Sequence, residues 1–245
     1  MDLFSLPPVA ALLDLTATGL MALIALLTPA AGPLAAALAI VLLTVVVRTA
    51  LIPVGIAQAK AEQVRSRLAP RLRELQRRLR SDPERLQRET MKLYREEGAS
   101  PFAGCVPLLL QTPIVSLVYA VFLHPAIAGH ANPLLDETLF GVPLGHSLVG
   151  ALVSGGLDGR TTLVIGAVVV SIATVGELTR RLLRPVAATP LPGVPRALTV
   201  LLHAATAIIA VFVPLAAALY LLTTVAWTLG QRWVLTRRYP PHPSS

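Results

Sequence analysis

Arg48 is the residue whose chemistry most needs explaining. It sits in "LAAALAIVLLTVVVRTALIPV" (34–54), fourteen residues into an apolar run before any other charge. A cation near the centre of a bilayer costs roughly 3 kcal/mol on insertion scales. By helix rise Arg48 lies about 21 Å from the start of the run, and a helix continuing to Ala57 leaves it about 13 Å short of the other end. That is too far for its side chain to bend comfortably to the surface. Ionisable residues at such depth face a bundle interior or a water-filled cavity. The acid inside the predicted spans, Glu177, lies at the far end of another one, so Arg48 has no evident counter-charge. Thr44, Gln111, Thr174, Thr224 and Gln231 are the polar residues expected to line a wet, positive groove with it. Most helical hydroxyls bond their own backbone, but the Gln111 amide needs a neighbouring helix or water. Such a groove attracts an acidic or polar segment of a guest chain.

Other constellations fail as active sites. "VSGGLDGRTT" (153–162) has Ser154 where a phosphate loop needs its first glycine and Arg160 where it needs lysine. Ser154 and His203 lack the setting of a serine protease, and Glu96-Glu97 have no histidine in reach to hold a metal. The five histidines lack ligand spacing, and Cys105 is the single cysteine, so an intrachain disulfide is excluded. No catalysis, cofactor, metal or nucleotide is expected.

The elements that would position the groove follow from composition. Of 245 residues 54% are hydrophobic and 14% charged, against about 25% charged in soluble domains. Mean hydropathy is +0.69 and net charge +8. An all-α polytopic membrane protein is expected, without a cleaved leader, because "MDLFSLPPVAALLD" lacks a basic start. Apolar runs predict transmembrane helices at 34–54, 104–124 and 160–179. The long run 197–230 exceeds one crossing and holds Pro214, so it divides into spans at 197–213 and 214–234. Twelve of the 21 basic residues fall in 55–103, four in 180–196 and three in 232–238. By the positive-inside rule these regions are cytoplasmic. Residues 125–159 then form an external loop and 235–245 a short cytoplasmic tail. Residues 1–33 are expected to be an external, interfacial amphipathic segment, a sixth span being the alternative. The N-terminus is then outside and the C-terminus in the cytosol of a plasma-membrane protein. The last two spans are short, which suits a locally thinned bilayer.

The cytoplasmic segment 55–103 predicts a basic helical hairpin. Leu68, Leu72, Leu75 and Leu79 fall at helical spacing, as do Leu86, Thr90 and Leu93 beyond "SDPE". Ser81 and Glu84 have capping-box spacing. Arg65, Arg67, Arg71, Arg77 and Arg78 are its candidate contact residues. A solvated hairpin that sets topology and a platform for anionic headgroups or ribosomal RNA both fit its charge.

"RTALIP" (48–53), Pro70, "LYREEGASPFAGCVPLLLQTPIVSLVY" (93–119) and "VPLAAALYLLTTVAWTLGQ" (213–231) resemble the YidC family of membrane protein insertases, over about residues 34–235. The resemblance implies a five-helix core with a hydrophilic groove open to cytosol and lipid and closed outside. It implies a groove cation at Arg48, a groove or structural role for Gln111, and a last-helix pattern carried by Pro214, Tyr220 and Gln231. Leu221 stands where many members have tryptophan, and the short tail "RWVLTRRYPPHPSS" argues against strong tail-mediated ribosome binding. Expected partners are nascent membrane proteins and membrane lipids, with the ribosome and the Sec translocon as further candidates. An anion transporter or channel is the alternative, although no internal repeat supports it.

Overall fold

The computed structural model describes residues 7–98, 112, 116–122, 124, 126–127, 130–156, 158–182 and 205–238. The architecture is all-α, with two two-residue β ladders among the described residues. Among the described residues two helical runs are long and apolar enough to cross a membrane, Pro7–Ala50 and Gly159–Leu182.

The first run is two helices, α1 (Pro7–Ala31) and α2 (Ala35–Ala50), joined by a 3-10 turn at Gly32–Leu34. Gly32 has φ +50, a left-handed conformation open to glycine and strained for side chains with a Cβ. That turn brings α1 back along α2. Leu13, Ala17, Leu20 and Ile24 form the buried face of α1, against the alanine-rich start of α2. Leu12, Leu15 and Leu26 are exposed on its other sides, so α1 is apolar nearly all round.

A single helix through Arg48 to Ala57 does not form. α2 ends at Ala50 with Arg48 in its last turn, and α3 (Ile52–Arg78) begins beyond Leu51. Pro53 is the physical reason, because it has no N–H to donate and its ring crowds the carbonyl four residues back. α3 and α4 (Pro83–Glu96) pack through Leu68, Leu93 and Tyr94, flanked by Val64, Leu72 and Leu75. The cap of α4 differs from the Ser81 expectation. Asp82 is the N-cap, its Oδ1 accepting the Arg85 N–H at 2.9 Å, with Pro83 in the first turn where no donor is needed.

Residues 126–156 fold into a cap on the bundle. They comprise β1 (Ala126–Ile127) paired with β2 (His130–Ala131), a 3-10 turn at Pro133–Leu135, β3 (Thr138–Leu139) paired with β4 (Val142–Pro143), and α5 (Leu148–Val153). Leu134, Leu144 and Val142 are buried in the main core. Asn132 fastens the cap: its Nδ2 donates to the Val121 and His124 carbonyls at 2.6 and 2.9 Å, and its Oδ1 accepts the Leu134 N–H at 3.1 Å. These bonds satisfy carbonyls left over where the helical residues 116–122 end.

α6 (Gly159–Leu182) leaves the cap directly. Residues 205–212 are helical, the chain breaks at Val213–Pro214, and α7 (Leu215–Arg238) follows. The first amides of α7 are bonded by the cap: Leu215 N–H to the His146 carbonyl at 2.8 Å and Ala216 N–H to Leu144 at 3.0 Å. α7 packs against α2 and α6 and, further along, against α3. The cap thus holds one end of the bundle and the hairpin leaves from the other.

Candidate polar groove along α7

Tyr220, Thr224, Trp227 and Gln231 are spaced four, three and four residues apart, which sets them on one stripe of α7. The stripe is about 16 Å long at helical rise. It faces α2 and the start of α3, and two observations locate that contact. Tyr220 is buried and lies within electrostatic range of the Arg48 guanidinium. Gln231 lies against Gly55, where a Cβ would come within 1.9 Å of its Nε2, so any other residue there makes the Gln231 amide swing aside. Next to Gln231, Arg232 pairs with Glu62 at 3.4 Å and ties α7 to α3.

Along this contact, three buried polar atoms have no hydrogen-bond partner among the described residues: Arg48 Nε, Thr224 Oγ1 and Trp227 Nε1. A buried polar group left unsatisfied costs about 1–3 kcal/mol, and more when charged. Three on two facing helices describe a site kept short of partners, able to donate to oxygen atoms of a guest or to water. Thr44, one turn before Arg48, is buried too, but its hydroxyl donates to the Ile40 carbonyl at 2.7 Å and is satisfied.

Of the residues expected in the groove, Arg48 stands on α2 with Thr44 one turn before it, and Thr224 and Gln231 stand on the stripe of α7. Thr174 is not gathered with them. It lies on the exposed stripe of α6 with Leu163 and Val170, its hydroxyl donating to the Val170 carbonyl at 2.8 Å. Gln111 lies outside the described residues, as does His203. Trp227 was not singled out from the sequence, although its place in the stripe was available there. Glu177 pairs with Arg180 and Arg181 on its own helix rather than with Arg48.

Arg65, Arg67, Arg71, Arg77 and Arg78 all lie on α3. Arg67, Arg71, Arg77 and Arg78 are exposed. Arg71 pairs with Glu97 at 3.7 Å and Arg78 with Glu74, so part of this charge is met within the hairpin. Among the described residues no group of three or more histidine, cysteine or acidic side chains could hold a metal.

The family model described as 60Kd inner membrane protein matches residues 27–242. A Streptomyces avermitilis protein named membrane protein insertase YidC is 30% identical over 221 residues, covering 83% of this chain and 51% of its own length. A Clostridium perfringens protein of that name is 42% identical over 83 residues, 34% of this chain and 35% of the relative. One from Oceanobacillus iheyensis is 36% identical over 99 residues, 38% of this chain and 39% of the relative. The chain spans about half the length of the Streptomyces relative and less of the other two.

Proposed function

Because the chain belongs to the 60Kd inner membrane protein family, we propose that it is a membrane protein insertase that passes nascent membrane proteins into the bilayer without nucleotide hydrolysis. The observation that carries this reading is the set of buried atoms on α2 and α7, Arg48 Nε, Thr224 Oγ1 and Trp227 Nε1, that find no hydrogen-bond partner among the described residues. A polar segment of a client enters beside it from the hairpin end, and its apolar segment then leaves sideways into lipid. The cap is the outer, closed end of a five-helix core made by α2, the helix through 116–122, α6, the helix through 205–212 and α7. The hairpin of α3 and α4 is cytoplasmic and receives clients there, with lipid headgroups, the ribosome and the Sec translocon as partners on that side. For residues 7–31 the apolar outer surface of α1 supports a further crossing, in place of the surface helix expected from the sequence. That arrangement puts the N-terminus in the cytosol.

The groove acts by exchange of solvation. An acidic client residue loses water on entering and gains the Arg48 charge, an attraction of about 4 kcal/mol at 4 Å and an effective dielectric of 20. Water that follows the guest weakens this term. The expected outcome for Arg48→Ala is at least a tenfold slower insertion of a client with a short acidic N-tail, roughly 1.4 kcal/mol of lost stabilisation. Arg48→Lys recovers most of it. Insertion of that client at the wild-type rate by Arg48→Ala in a depletion strain refutes the reading.

A further inference from the structure

We propose that Phe140, Leu152 and Val153 form a lipid anchor where α6 meets the cap, seated at the boundary between headgroups and acyl chains, with Arg160 beside it to meet a lipid phosphate. The inference rests on the reading that α6 crosses the bilayer.

Phe140 and Gly141 are the two loop residues of the β3–β4 hairpin, with φ +52 and +79. Two consecutive positive φ values make the tight hairpin turn that prefers Asn-Gly. A bulky aromatic residue in that conformation is a steric outlier. Burial does not compensate, since Phe140 is 64% exposed. Neither turn chemistry nor core packing therefore selects phenylalanine here. Leu152 and Val153 pose the same question, at 63% and 81% exposed, while Ala151 beside them is the buried residue of α5.

Their shared position answers it. The Arg160 side chain lies over the hairpin turn, where a Cβ on Gly141 would meet its Nη1 at 2.7 Å. α5 packs against α6 as well. From Arg160 an exposed stripe continues down α6 through Leu163, Ala167 and Val170, opposite the buried Val164, Ile165, Val168 and Ile172. This is the side of the span left to lipid, and Phe140 stands at its top. Phenylalanine and leucine side chains flanked by arginine or lysine seat at the boundary between headgroups and acyl chains, the apolar side in the chains and the cation towards anionic headgroups. A soluble partner fits less well, because the apolar surface runs on into the span itself. The rigid turn explains the tolerated strain: it holds the ring out at a fixed height.

The experiment places a bimane fluorophore at single cysteines made by Phe140→Cys, Val153→Cys and Leu163→Cys in a Cys105→Ser background. The full chain is reconstituted in phosphatidylethanolamine–phosphatidylglycerol vesicles. Quenching by lipids carrying a nitroxide near the headgroup or near the chain end is compared with quenching by aqueous iodide. Residues 140 and 153 are expected to be quenched several-fold more by the shallow nitroxide than by the deep one, and Leu163 progressively by the deeper label. Lipid quenching at Leu163 with iodide quenching alone at 140 and 153 overturns the anchor and leaves the span intact. Iodide quenching alone at all three overturns the span and the anchor together. Phe140→Asn supplies a second readout, since asparagine suits the turn. Its melting temperature in detergent is expected to rise, and a fall would make Phe140 a packing residue and end the proposal.

Discussion

Replacing Asn132 by alanine tests how the bundle is closed at the cap end. Asn132 is 5% exposed, with Val121 at 1% and Leu134 at 0% around it. Alanine removes the three bonds that the Asn132 side chain makes, from Nδ2 to the Val121 and His124 carbonyls and from the Leu134 N–H to Oδ1. The Val121 carbonyl and the Leu134 amide are then left buried without that partner, while His124 is only half-buried and water can reach its carbonyl. At about 1.5 kcal/mol for each of the two buried groups, the expected loss is about 3 kcal/mol. That raises the unfolded fraction roughly 150-fold. Thermal and urea unfolding in detergent micelles, followed by circular dichroism, measures the loss. Hydrogen exchange at the Leu134 amide locates it. Asn132→Asp sharpens the argument: a carboxylate still accepts from Leu134 but cannot donate to either carbonyl. Carbonyl repulsion raises the pKa of the new group in the folded state, so the folded protein binds the extra proton. Its stability therefore rises as pH falls through that pKa, opposite to an ordinary capping aspartate. A change below about 0.5 kcal/mol for Asn132→Ala refutes the view that this side chain fastens the cap.

Three further outcomes are expected. Thr224→Val keeps the shape and removes an oxygen that is buried without a partner; stability in detergent rises by about 1 kcal/mol while insertion of an acidic-tailed client slows, and a loss of stability contradicts the groove geometry. Gly55→Val drives a side chain into Gln231 and costs about 1–3 kcal/mol; adding Gln231→Ala restores much of it, a coupling that a double-mutant cycle reads directly. Asp158 caps α6, and hydrogen bonds from Thr161, including its N–H at 2.8 Å, hold its carboxyl below the usual aspartate value. A carboxyl depressed in the folded state contributes stability above its unfolded pKa and loses it as pH falls through the folded one. Asp158→Ala is thus less stable than wild type at neutral pH, and unfolding curves of the two converge in acid.

The apolar helices that include 35–50 and 159–182 and the seam of the basic hairpin were legible because each depends on a local period. Leucines at helical spacing announced the α3–α4 seam, and Leu68, Leu72, Leu75 and Leu93 meet there. Neighbouring caps were harder to separate. Ser81 and Asp82 are both good N-caps one residue apart, and the choice rests on which oxygen reaches an amide, here that of Arg85. The break in the helix bearing Arg48 is not legible in the sequence for a related reason. Pro53 was visible, but whether the chain bends there or runs on depends on what α3 and α7 offer beyond it.

Hydropathy and charge by themselves marked this chain as helical and suited to a membrane, and singled out Arg48 as an isolated cation in an apolar run. Those conclusions need only the cost of moving each residue from water. That the Arg48 Nε and the Trp227 Nε1 are buried with no hydrogen-bond partner among the described residues, and that Thr174 is exposed on α6, were decided by tertiary structure alone. Hydrogen-bond satisfaction depends on atoms from α2, α3 and α7 arriving within about 3 Å of one another, and no pattern along a single helix carries that distance.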